Sequence, residues 1–364
     1  MMKVKPGLEG IVAAETGISL VDGEKGRLIY RGCRAEELAG ARSFEEVAHL
    51  LWKGRLPDTA ERERERRRWA EARVVPAFLQ ELIAGIPRET AMMDVIRTAV
   101  SALGSPSFEG PPTEEQAIRI ASLLPTIIAL RLHHLKGSEV PKPRPDLSHA
   151  AHYLYLLQGK VPAPAHVRAL EAYFVLTAEH GMNASTFTAR VVTSTRSDLI
   201  SAIAAAIGTL KGPLHGGAPS GVESMLDEIG TEERIEPWIR EQLAKGDRLM
   251  GFGHRIYKTE DPRAAALRDI AVRLAAEEPW FRLAVQVEKE ALRLLEEYKP
   301  GRRIRTNVEY YAAAIFRAVG LPRELYTATF LCSRVVGWAA HAMEQAAHNR
   351  LIRPDSVYTG PVPR

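Results

Sequence analysis

The chain is poor in cysteine, poor in aromatic side chains, and has no long apolar run free of charge. Only two cysteines occur among 364 residues, Cys33 and Cys332, far apart and in no metal or redox spacing. That excludes a disulfide framework and a cysteine-based zinc site, and suits a reducing cytoplasm. Aromatics supply 7% of the residues while hydrophobic residues supply 46%, so sizeable cores are available and two domains fit the length. Ala, Leu, Arg and Glu dominate, which favours helix over strand. No uncharged 18-residue stretch is present to span a bilayer, and the opening MMKVKPGLEG lacks a signal peptide's apolar segment. The expectation is a soluble, cytoplasmic protein with no membrane partner.

The net charge of +4 is small. The densest basic stretch, ERERERRRWAEAR, interleaves acids with arginines at helical spacing, the pattern of a salt-bridged, solvated helix face rather than a nucleic-acid groove. A primary nucleic-acid role is therefore excluded. The pair His133-His134 is adjacent rather than facing, and no histidine pair at i, i+4 sits beside a matching acid, so no metal site is expected.

Local signals sketch the elements. Short β-branched runs around Asp22-Gly23 and Lys25-Gly26 predict a small N-terminal hairpin. Ser43 with Glu46 forms a capping box opening SFEEVAHLLWKG, and Gly54 closes it; Thr113 with Gln116 repeats the device before a long helix that Pro125 is expected to kink or break. Further helices are predicted over DLSHAAHYLYLLQG, AHVRALEAYFVLTAEHG, SDLISAIAAAIGTLKG, EPWIREQLAKG, PRAAALRDIAVRLAAEE and the stretch after Pro279. A break falls at GTLKGPLHGGAPSG, residues 208–221, where a hinge or a ligand loop is expected.

Three segments pair a histidine or acid with Gly, Pro or Asn: GPLHGGAP with His215, MGFGHRIYKTEDPR with His254, and TNVEYY with Glu309. Glu309 is the single acid in GRRIRTNVEYYAAA, and is either a solvated charge or a base set against a substrate carbon. In this order the segments resemble the citrate synthase family. HGMNAST around His180, SRVVGWAAHAMEQ around Arg334, NRLIRPDSVYTG around Arg353 and the N-terminal hairpin extend the resemblance over nearly the whole chain.

The resemblance implies an all-α, two-domain fold with a large domain over 1–217 and 314–364 and a small domain over 218–313. It implies condensation of acetyl-CoA, or in the nearest variant propionyl-CoA, with oxaloacetate, followed by thioester hydrolysis and without a tightly bound cofactor. Glu309 takes the place of the base, ordinarily an aspartate in the family, His215 that of the donor to the thioester oxygen, and His254 that of the acid on the ketone. His180, Arg263, Arg334 and Arg353 match oxaloacetate ligands, Arg353 reaching across a homodimer, while Asn183 and Ser185 orient the histidines. The coenzyme is expected over Gly251, Gly253, Arg255 and Lys258. The chain ends soon after YTGPVPR, so a long C-terminal arm embracing the partner is expected to be reduced. The longer base leaves open a binding protein with little turnover.

Overall fold

A computed structural model describes residues 4–216 and 218–363; Gly217, on the expected domain boundary, lies outside them. The chain opens with β1 (Ser19–Asp22) and β2 (Arg27–Tyr30), paired antiparallel with Ser19 opposite Tyr30. The expected hairpin gains a third short strand, β3 (Cys33–Arg34), because Arg31 and Gly32 both take left-handed backbone and turn the chain back onto β2. All else is helical: α1 (Ala35–Ala41), α2 (Phe44–Lys53), α3 (Thr59–Glu71), α4 (Ala77–Gly85), α5 (Met92–Ser101), α6 (Glu114–Lys136), α7 (His149–Gln158) and α8 (Pro164–Thr177). There follow α9 (Ala184–Ser194), α10 (Leu199–Leu210), α11 (Ala218–Ile229), α12 (Ile235–Lys245), α13 (Pro262–Ala275), α14 (Pro279–Tyr298), α15 (Val308–Ala318) and α16 (Tyr326–Ala347). The fold is all-α with one small sheet.

Helix boundaries follow their local chemistry. Ser43 and Glu46 cap α2 reciprocally and left-handed Gly54 ends it; Thr113 and Gln116 do the same for α6. Each such cap contributes about 1 kcal/mol. The basic stretch forms α3, whose arginines pair with Glu61, Glu63, Glu65 and Glu114. Pro125 does not break α6, which runs unbroken from Glu114 to Lys136. The helix is held by α3, α4, α5, α7 and α16 around it, and that burial outweighs the roughly 3 kcal/mol penalty of an interior proline. By length and apolarity α6 is able to cross a membrane, but 78% of its most apolar window is buried inside the fold.

Two groups of helices result. α16 is the hub of one, packing on α2, α5, α6, α8, α9 and α10, and it is buried along most of its length. In the other, α13 and α11 pack on α15, and α12 on α14. α13 also touches α1 and α8, and α15 touches α8. The motif residues lie where these groups meet.

Candidate active site

His215 sits in the short 211–217 connection between α10 and α11, narrower than the expected break because Gly208 is inside α10. Its Nε2 lies 2.8 Å from Ser185 Oγ. The same hydroxyl accepts the Trp338 indole N–H at 3.0 Å and is 2.8 Å from Asn183 Oδ1. Ser185 gives its one proton to Asn183 Oδ1, which also receives the Thr186 N–H as the N-cap of α9. Burial, with Arg334 adding to it, pushes the imidazole down to about 4. At neutral pH His215 is an uncharged donor.

His254 is fixed more tightly. Its Nδ1 accepts the backbone N–H groups of Ile256 and Tyr257, both at 3.0 Å, so the proton of the neutral ring is on Nε2. Burial and then Arg263 push this ring down to about 4 as well. Arg263 Nη2 is 3.4 Å from Nε2. His180 is buried beside them, its Nε2 3.2 Å from the Tyr257 hydroxyl and its ring edge-on to His254. Its pKa is lowered by burial, Arg263, Arg334 and His254.

Asp261 holds this corner together, a role not read from the sequence. Its carboxylate caps α13 through the Arg263 N–H, grips the Arg263 guanidinium at 3.0 and 2.8 Å, and accepts the Val308 N–H at 3.2 Å. One buried acid thereby aligns the first turns of α13 and α15. Glu309 stands in that first turn of α15, capped by Asn307, whose side chain accepts the Glu309 N–H and donates to the Gly253 carbonyl at 2.9 Å. Gly251 has φ of +83°, and a Cβ there would lie 2.6 Å from the Tyr310 ring; only glycine permits that turn and that approach. Glu309 keeps some accessible surface, yet burial pushes its carboxyl up to about 7, with Asp261 raising it and Arg263 and Arg334 opposing. A carboxyl poised at neutrality is suited to general-base work.

One face of α16 writes the opposite wall. Arg334, Trp338, His341 and Gln345 recur at helical spacing, reaching respectively the Thr177 carbonyl, Ser185, Glu179 and Arg190. Arg334 is buried, with its guanidinium 4.7 Å above Phe330 and only Nε engaged by a backbone oxygen. Its Nη groups make no hydrogen bond among the described residues.

Residues expected around the coenzyme fall unevenly. Gly253 and Lys258 line a cavity of about 350 Å³ together with His254, Arg302, Arg303 and Arg305. Lys258 is paired with Glu24 of the β1–β2 turn, and Arg255 is exposed without a side-chain hydrogen bond among the described residues. The sequence reading missed Arg302, Arg303 and Arg305; Arg303 takes left-handed backbone, φ +48°, unusual for a non-glycine. Arg353 is exposed in the tail beyond α16, away from the hydrogen-bonded cluster. As for metals, His49, Glu65 and Glu114 bring ligand atoms within 4.8 Å of one another. Arg68 already bridges the two carboxylates and Lys53 pairs with Glu114, so resident cations match that charge.

A carboxyl raised to about 7, neutral imidazoles and buried guanidiniums are gathered on this all-α scaffold, groups suited to carbanion chemistry beside an anionic substrate, and the family match below makes the protein an acyltransferase. The model of the family described as "Citrate synthase, C-terminal domain" matches residues 7–355. The chain belongs to the citrate synthase family. It is 39% identical to citrate synthase 2 of Bacillus subtilis, covering 99% of this chain and 97% of that one. It is equally 39% identical to 2-methylcitrate synthase of Shewanella oneidensis, covering 98% and 95%. Among solved structures, the ternary complex of carboxymethyl coenzyme A and oxaloacetate with citrate synthase from Thermoplasma acidophilum superposes with a TM-score of 0.91 at 31% identity, covering 100% and 98%.

Proposed function

We propose that the protein condenses acetyl-CoA with oxaloacetate and hydrolyses the citryl thioester to citrate and CoA. The observation that carries this is the Glu309 carboxyl, poised at about 7 in the same site as two imidazoles held neutral. Glu309 takes a proton from the thioester methyl, and the electron pair moves onto the thioester oxygen, where His215 meets the developing charge. The enol carbon attacks the ketone carbon, His254 Nε2–H delivers its proton to the ketone oxygen, and the proton taken up by Glu309 returns to the His254 ring through water, restoring both groups. Water then cleaves the thioester. These transfers use the chain's own side chains and call for no bound cofactor.

Arg263 and Arg334 hold the oxaloacetate carboxylates through guanidinium forks, with His180 as a further donor, and Arg353 of the partner subunit completes the set in a homodimer. The coenzyme phosphates lie against the 253–258 loop and Arg302, Arg303 and Arg305, Lys258 leaving Glu24 to join them. Residues 1–217 with 314–364 form the large domain and 218–313 the small one, closing over oxaloacetate. Two free cysteines are consistent with a cytoplasmic setting.

The second reading is propionyl-CoA as the thioester, favoured by the equal identity to a 2-methylcitrate synthase; one methylene alters preference by only about 1–3 kcal/mol. The test is calorimetric titration with oxaloacetate, with X-ray scattering on the same samples, followed by thiol release with each thioester. Binding, compaction and faster release from acetyl-CoA are expected. Faster release from propionyl-CoA selects the second reading. Oxaloacetate binding without release from either thioester would instead identify a binding protein on a synthase scaffold.

A further inference from the structure

Glu179 is the acid directly before His180, and it has no accessible surface at all. Its Oε1 receives three donors: Ser19 Oγ at 3.0 Å from β1, the Gly181 N–H, and His341 Nε2 at 3.1 Å from α16. The direction of the last bond is fixed from behind. Arg190 Nε donates to His341 Nδ1 at 2.9 Å, so the ring proton is on Nε2 and points at Glu179. Arg190 is itself paired with Glu344, so an ion pair stands behind the His341 relay to Glu179. Glu179 Oε2 has no hydrogen-bond partner among the described residues. It lies over Gly337 of α16, where a Cβ would stand 2.5 Å from it, one helical turn beyond Arg334.

Burial alone would raise this carboxyl, but His341, Arg334 and Ser19 together hold it below the ordinary value. The field acts in both directions: burial lowers the pKa of Arg334 and the charge on Glu179 is the largest influence raising it. No direct ion pair joins the two among the described residues, so Arg334 keeps its Nη groups for a ligand while its charge is partly balanced from behind.

We propose that Glu179 is the resident counter-charge of Arg334, a positioning residue that limits how tightly this arginine grips a dianion, as Asp261 is already paired with Arg263. This rests on the assignment of Arg334 to oxaloacetate. The physical need is release: citrate carries more negative charge than oxaloacetate, and an unopposed buried Arg334 would retain it. The carboxylate also brackets His180, since it accepts the N–H of Gly181 on the far side of that residue while the Tyr30 hydroxyl donates to the Glu179 carbonyl at 2.8 Å.

The experiment is calorimetric titration of the intact protein with oxaloacetate and with citrate, in the wild type, Glu179→Gln and Glu179→Asp. The field of one buried carboxylate on a bound dianion is worth on the order of tenfold in affinity at an effective dielectric near 20. Glu179→Gln is expected to bind both ligands about tenfold more tightly, with kcat reduced by slower citrate release, while Glu179→Asp, which keeps the charge, stays near the wild type. Equal or weaker binding by Glu179→Gln, or the same change in Glu179→Asp, overturns the proposal in favour of a purely structural role. Should Glu179→Gln fail to fold, Arg190→Gln carries the test with the opposite sign: removing the cation behind Glu179 strengthens its opposition, so oxaloacetate binding weakens, and unchanged or tighter binding refutes the idea. A wild type that does not bind oxaloacetate would refute the site assignment itself.

Discussion

Glu309→Gln is expected to lower kcat by about 10³-fold, the scale of a lost general base. The same substitution changes stability in a pH-dependent way that identifies the residue independently of turnover. The folded-state pKa of Glu309 is raised from 4.5 to about 7. The carboxyl is thus comfortable when protonated, and its contribution to stability is lost as pH rises from about 4.5 through 7. Ionising it in place costs at most about 3 kcal/mol, from some 1.4 kcal/mol per pKa unit. Glutamine avoids that cost. Urea denaturation at pH 8 should show the variant more stable by up to that amount, and at pH 4 no gain. Equal stability at both pH values would mean Glu309 is a solvated charge.

Arg353→Leu is expected to lower kcat/KM for oxaloacetate by about 10²–10³-fold, the effect of removing one partner of a buried charge pair. The exposed position of Arg353 in its own subunit adds a sharper consequence. If it serves the neighbouring site, mixing two nearly inactive proteins, Arg353→Leu and Glu309→Gln, and allowing subunits to exchange creates heterodimers with one complete site. Recovery of about a quarter of wild-type activity follows from random pairing in a two-fold dimer. No recovery after demonstrated exchange would mean that Arg353 acts within its own subunit or not at all.

Much of this molecule was legible in the residues, and the limits have physical reasons. The caps at Ser43 and Thr113 are local, three residues long, and appear in the structure as drawn from the sequence. The motif segments could be found because each carries its own punctuation, as with Asn307 capping α15 beside Glu309. The break at Pro125 was misjudged because local penalty was weighed without the surrounding helices that hold α6 together. β3 escaped notice because two residues and a left-handed turn leave no periodicity. The α16 face linking Arg334, Trp338, His341 and Gln345 to partners some 150 positions earlier has no local signature. Neither does the role of Asp261 in holding the first turn of α15, 47 residues further on. The arginines at 302, 303 and 305 were visible but read as background to Glu309, and only the cavity they share with His254 and Lys258 groups them with the 253–258 loop.

The most direct test of the central claim, that Glu309 is the base, is the pH dependence of kcat/KM for thiol release by the wild type beside Glu309→Gln. Above pH 4 both His215 and His254 are neutral, so a single acid limb remains. The rate constant should fall tenfold per pH unit below about 7 and level off above it, and the limb should vanish from the residual activity of Glu309→Gln. A profile flat from pH 5 to 8, or the same limb in both proteins, would contradict the assignment.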